Sequence, residues 1–121
     1  MLETAYMKIW KEEGILYSMF NENLNINIEI AKNCVETRIA YSQGISYPVL
    51  INMKGLKSIT KEARDYLADE GARLIKGGAL IVDSALTKML GNLFLRINKP
   101  KIPVKLFTDE KEAKEWLQQY L

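Results

Sequence analysis

Three short apolar runs constrain this chain more than any other feature. Val49-Leu50-Ile51-Asn52-Met53 follows Pro48, Ala79-Leu80-Ile81-Val82 follows Gly77-Gly78, and Val104–Phe107 follows Pro103. None of the three alternates cleanly between apolar and polar residues. A strand with one wet face must alternate, so these runs read as strands covered on both faces, as in a parallel sheet. Their spacing matches a βαβ unit of roughly 30 residues, whose crossover is nearly always right-handed.

The intervening segments carry helical periodicity. Ile28, Ala31, Val35 and Ile39 form one stripe, with Asn27 as N-cap, Glu29 in the first turn and Gly44 as the expected stop. Thr60 caps a second helix with Ala63, Tyr66, Leu67, Gly71, Leu74 and Ile75 on its inner face, and Gly77-Gly78 is expected to end it. In the third helix, Leu86, Met89, Leu90, Leu93, Phe94 and Ile97 share an apolar face. Thr108 is placed to cap a last helix whose inner side holds Ala113, Trp116, Leu117, Tyr120 and Leu121. Upstream, residues 4–11 and 15–20 flank Glu12-Glu13-Gly14, the pattern of a hairpin.

The predicted order is β-β-α-β-α-β-α-β-α, an α/β fold in one domain spanning residues 1–121. Its mixed, mostly parallel five-stranded sheet has an antiparallel hairpin strand at one edge. If strands add sequentially, crossover handedness places the helices largely on one face. The other face then needs cover from the hairpin, a second subunit or an apolar ligand.

Composition narrows the function classes. There is no histidine, which removes the usual general base near neutral pH and the commonest metal ligand. Cys34 is the single cysteine, so no internal disulfide forms; without an activating base it reads as a small buried hydrophobe. The carboxylate pairs Glu12-Glu13, Asp69-Glu70 and Asp109-Glu110 sit in a turn, within a helix and at a helix start, where local electrostatic roles account for them. We therefore expect no catalytic residues, no metal site and no cofactor. A net charge of +2 is too weak to suggest nucleic acid. The longest uncharged stretch, residues 39–53, falls short of the roughly 20 apolar residues of a membrane span. The N-terminus lacks a signal-peptide core. A cytoplasmic protein is the expectation.

Several stretches carry a family resemblance. Tyr47-Pro48-Val49-Leu50-Ile51 leads through Gly55 to Ser58-Ile59-Thr60, and Lys105-Leu106-Phe107-Thr108-Asp109-Glu110 precedes Ala113 and Trp116-Leu117. Together with the element order, they resemble the SpoIIAA-like branch of the STAS fold (sulfate transporter and anti-sigma-factor antagonist) over nearly the whole chain. The resemblance implies a non-enzymatic interaction or regulatory module with a protein partner. Anti-sigma-factor antagonists carry a phosphorylated serine at the start of the helix after the central strand. Here Thr60-Lys61-Glu62-Ala63 stands at that place, with Lys61 at the phosphoacceptor position. Lysine cannot form the serine's phosphate ester. Ser58 and Thr60 keep hydroxyls nearby, and whether either is modified stays open.

Two candidate surfaces follow. In open α/β sheets, ligands and partners favour the carboxyl ends of the strands. That rim would hold Asn52, Lys54, Gly55, Ser58, Thr60 and Lys61 after one strand, and Asp83 with Ser84 after the next. The second is basic: residues 84–108 contain no acid, and Lys88, Arg96 and Lys99 are candidate anion contacts. The alternative function is a carrier or sensor of an apolar small molecule or lipid on the open sheet face. Homodimer formation would hide the same strands.

Overall fold

The computed structural model describes all 121 residues. A two-residue strand, β1 (Leu2–Glu3), pairs antiparallel with β2 (Met7–Glu12), and β2 pairs antiparallel with β3 (Ile15–Phe20). Glu13 and Gly14 reverse the chain with φ values of +50° and +81°. Two consecutive left-handed residues make the turn whose twist matches that of paired strands, and glycine is the least strained choice for the second.

β4 (Leu24–Ile26) leads into α1 (Ile28–Ser42). Asn27 caps this helix by accepting the Ile30 amide at 2.9 Å. The chain then runs through β5 (Tyr47–Asn52), β6 (Leu56–Ile59), α2 (Lys61–Asp69), β7 (Ile75–Ile81), α3 (Ala85–Leu93), β8 (Val104–Phe107) and α4 (Glu110–Leu117). The main sheet has six strands in the order β1-β2-β3-β5-β7-β8, parallel from β3 onward. β4 and β6 form a separate parallel pair. The α/β architecture is therefore as expected, with β1, β4 and β6 as additions: β1 and β4 have only two and three residues, and the Lys57-Ser58 centre of β6 interrupts any apolar run.

Side chains alternate between two apolar layers, which explains why the strands read as continuous runs. Leu16, Val49, Leu80 and Val82 face the side of α1, α2 and α3, where they meet Ala31, Cys34, Ala63 and Leu90. Ile15, Tyr17, Leu50, Ala79, Ile81 and Phe107 face α4, where they meet Ala113 and Leu117. Three helices thus share one face and the fourth covers the other. The open face expected from the sequence is closed by α4. Crossover handedness governs a helix that links two parallel strands, and within residues 1–121 α4 is not such a link.

Other local expectations shift. Helix α2 stops at Asp69, and a 3-10 turn (Glu70–Ala72) precedes β7. Gly77 and Gly78 lie inside β7 rather than ending a helix. A Cβ on Gly77 would fall 2.7 Å from the Tyr120 ring, so the glycine admits the C-terminal aromatic close to the sheet. Helix α1 stops with Gln43 already left-handed, one residue before Gly44. Asp109, not Thr108, caps α4, accepting the Lys111 amide at 2.9 Å.

Helix α3 departs most from its apolar pattern. Its last turn widens into a π-helical turn, Phe94–Asn98, closed by the Lys99 amide donating to the Phe94 carbonyl at 3.2 Å. Leu90 is buried, but Leu86, Met89 and Ile97 are 36%, 56% and 64% exposed. The apolar arc is wider than the surface the sheet offers it.

Candidate functional site

At the carboxyl edge of the parallel strands, Asn52, Lys54, Gly55, Asp83 and Ser84 line one groove with Leu56, Leu86 and residues 21–23. Its floor is set by close backbone approach. A Cβ on Gly55 would fall 2.4 Å from the Asn21 carbonyl oxygen, so only glycine fits. The Asn52 carboxamide accepts the Lys54 amide at 3.0 Å, fixing the loop that leaves β5. Ser84 and Thr87 form a reciprocal cap: the Ser84 hydroxyl accepts the Thr87 amide at 3.1 Å, and the Thr87 hydroxyl accepts the Ser84 amide at 3.0 Å. The Thr87 hydroxyl also accepts the Asp83 amide at 3.1 Å.

Ser58, Thr60 and Lys61 fall outside this groove. The Ser58 hydroxyl donates to the Asn25 carboxamide at 2.6 Å, joining β6 to β4. Thr60 caps α2 by accepting the Ala63 amide at 3.2 Å. Lys61 pairs with Asp65 at 2.8 Å, and Asn98 donates to the same carboxylate. The Lys61 hydrogen bond, followed by that from Asn98, lowers the Asp65 pKa. Eight residues expected to converge therefore split into a groove and a set of local caps and ties.

Lys88, Arg96 and Lys99 are all exposed. The ion pairs of the chain are Lys61–Asp65, Arg73–Glu70 and Lys101–Asp69, so none of these three cations is neutralised. They flank the exposed Leu86, Met89 and Ile97 on α3 and its π-helical turn. Leu86 belongs to both this stripe and the rim groove, making the two surfaces continuous.

A further feature was not singled out from the sequence. Between the sheet and α1, α2 and the π-helical turn lies an apolar cavity of about 110 Å³. Arg38, on α1, is one of its lining residues and is only 5% exposed. Its Nη2 donates to the Gly71 carbonyl at 3.0 Å, while Nη1 is buried without a hydrogen-bond partner. Burial lowers the Arg38 pKa to about 10, with Arg73 adding like-charge repulsion. The guanidinium stays charged at neutral pH without a carboxylate beside it, an arrangement that costs several kcal/mol unless offset. One signal for it was present in the sequence: Arg38 stands four residues from Cys34 and three from Val35, on the buried face of α1.

Cys34 lines the same cavity. Burial pushes its pKa up to about 11, leaving a protonated thiol at neutral pH and hence a poor nucleophile. No three His, Cys, Asp or Glu side chains gather closely enough to hold a metal ion. No helix is long and apolar enough to cross a membrane.

The model of a family described as Domain of unknown function (DUF7793) matches residues 9–121. The chain belongs to the DUF7793 family. A comparison with curated proteins found no match. Among solved structures, the chain is similar to an uncharacterized protein of the DUF3478 family with a SpoIIAA-like fold from Shewanella loihica PV-4. The TM-score is 0.63 at 17% identity, covering 97% of this chain and 98% of that one. It is also similar to Moorella thermoacetica RsbS carrying a serine-to-glutamate substitution, with TM-score 0.61 at 14% identity over 93% and 95% of the two chains. These likenesses establish the SpoIIAA-like, STAS-type fold of this DUF7793 member.

Proposed function

We propose that this DUF7793 protein is a non-enzymatic interaction module, acting in the cytoplasm without a phosphoacceptor serine at the start of α2. The observation that carries this reading is the exposed apolar stripe Leu86, Met89 and Ile97, continuous with the rim groove and flanked by unpaired Lys88, Arg96 and Lys99. Contiguous exposed apolar surface of this kind marks docking sites. The protein partner it fits has apolar side chains bordered by carboxylates. Asn52, Lys54, Gly55, Asp83 and Ser84 form the adjoining contact; Ser58, Thr60 and Lys61 extend it along the start of α2. Lys61 stands where the resemblance places a serine that phosphorylation makes negative, so that position holds a lysine, paired with Asp65, instead of a switchable negative group.

Affinity capture from the source cells tests this. The chain, a Met89→Glu/Ile97→Glu variant, a Lys54→Glu variant and a Gln119→Glu control on the opposite face would be compared side by side. Burying the two apolar side chains contributes about 1.5–3 kcal/mol each, so the double variant should lose its partner by well over tenfold. The control should keep it. A partner retained by the double variant overturns the assignment. Light scattering on the same variants identifies a second copy of the chain as the partner if a dimer disappears with the stripe.

A second reading, binding of an apolar small molecule, is supported by the cavity beside Arg38. It concerns the three-helix side of the sheet rather than the face that α4 covers.

A further inference from the structure

We infer that the cavity between the sheet and α1 is a binding site for a small monocarboxylate with an apolar body, its carboxylate held by Arg38. The argument begins with the orphaned donor. Arg38 is a cation almost wholly removed from water, with Nη2 engaged by Gly71 and Nη1 unpartnered. None of the ion pairs of the protein supplies a counter-charge. A guanidinium presents its N–H groups in a planar fork that matches a carboxylate in two parallel hydrogen bonds. Nη1 touches no open space as it stands, so a small shift of the Arg38 side chain, which lines the cavity, brings its N–H to an arriving anion, and the buried charge is then neutralised.

The walls decide the rest of the ligand. Of the 20 residues lining the cavity, 15 are hydrophobic. A bare anion would lose its hydration without replacement beyond the guanidinium, whereas an apolar body gains from the same walls. The volume of about 110 Å³ is somewhat below the roughly 150 Å³ of an enclosed apolar cavity that accepts benzene in another protein, but this one is open on one side, so part of a ligand can extend beyond it. A body of about one aromatic ring, or a short branched chain, is therefore the fitting size. Gly78 in the sheet helps to make this room: a Cβ placed there meets its nearest neighbour, Val104, at 3.6 Å.

This inference deepens the second reading above, and the experiment separates the two. Titration calorimetry on the full chain would use benzoate as probe, toluene as its uncharged counterpart and inorganic phosphate as an anion without an apolar body. Benzoate should bind one site, at least about tenfold more tightly than toluene, and phosphate should not compete. Arg38→Met should remove the preference of benzoate over toluene while keeping the fold. Gly78→Leu, which fills the cavity, should remove both ligands. Amide NMR shifts on adding benzoate should centre on Cys34, Gly71 and Gly78.

Absence of benzoate binding overturns the inference, as does equal binding to the Arg38→Met variant or equal binding of phosphate. Toluene binding without benzoate binding leaves an apolar-ligand site standing and removes the carboxylate. Shifts centred on Lys88, Arg96 and Lys99 instead move the anion to the outer surface and overturn this assignment.

Discussion

The two faces of the sheet solve the same covering problem differently. On the α4 side, Leu117 and Ala113 close over Leu50, Ala79 and Ile81, with Trp116 and Tyr120 at the margin. Trp10 and Tyr17 stack there with ring centres 5.3 Å apart. On the three-helix side, α1 brings a charge to the sheet and leaves a cavity around it. The first face is built by filling space and the second by leaving some. Stability is concentrated where packing is dense, while a site for a small molecule needs the opposite arrangement.

Substitutions should expose this difference through the sign of their effects. The largest is expected on the α4 side: Leu117→Ala should cost about 3 kcal/mol in urea denaturation, because a fully buried side chain leaves a void. Gly77→Ala should follow, at about 2 kcal/mol, since the new Cβ meets the Tyr120 ring and displaces it. Arg38→Met should act in the other direction. Replacing an uncompensated buried charge with a matching apolar chain should stabilise the ligand-free protein by about 1 kcal/mol, read as a higher denaturation midpoint. Gly78→Ala should stabilise by about 0.5 kcal/mol, through the entropy of the unfolded chain and an ordinary contact with Val104. Adjacent glycines of opposite sign are the sharpest form of the comparison. Matching losses at Gly77 and Gly78 would break it.

The smallest effect concerns Cys34. Its pKa is raised to about 11, so folding favours the protonated thiol. The stability this contributes is fully present below the unfolded-state pKa and lost as pH rises through about 11. The rate of thiol alkylation should keep climbing to about pH 11 in the folded chain, but level off near 9 in denaturant. A folded-state profile that levels at the denatured value would place the thiol in water.

Much of this architecture was legible in the residues. Asn27, Thr60 and Ser84 each cap the helix that follows, and Glu13-Gly14 turns the hairpin, because these features are local. The parallel strands were legible because burial on both faces removes alternation. The position of α4 was not, because the handedness rule applies to a helix between two parallel strands and α4 comes after β8, the last strand within residues 1–121. Gly77-Gly78 read as a helix end when it serves strand packing, since the ring that needs Gly77 lies 43 residues onward, at Tyr120. Of the rim residues, Asn52, Lys54, Gly55, Asp83 and Ser84, at or just beyond the ends of β5 and β7, came together in the groove, while Ser58, Thr60 and Lys61 were occupied by their neighbours. Arg38 escaped notice because the stripe through Ile28, Ala31, Val35 and Ile39 is rotated from the buried face, which includes Cys34 and Arg38.

The π-helical turn has a consequence for how this chain can vary. Its five-residue reach amounts to one residue inserted into a helix, with Phe94 lining the inner cavity and Ile97 on the outside. Deleting one residue would restore ordinary helical winding and rotate the following positions by about 100°. Inner wall and outer ridge would then lose their alignment together. Length in this short segment is consequently more tightly held than residue identity, and homologues are expected to exchange its side chains more freely than they lose a position.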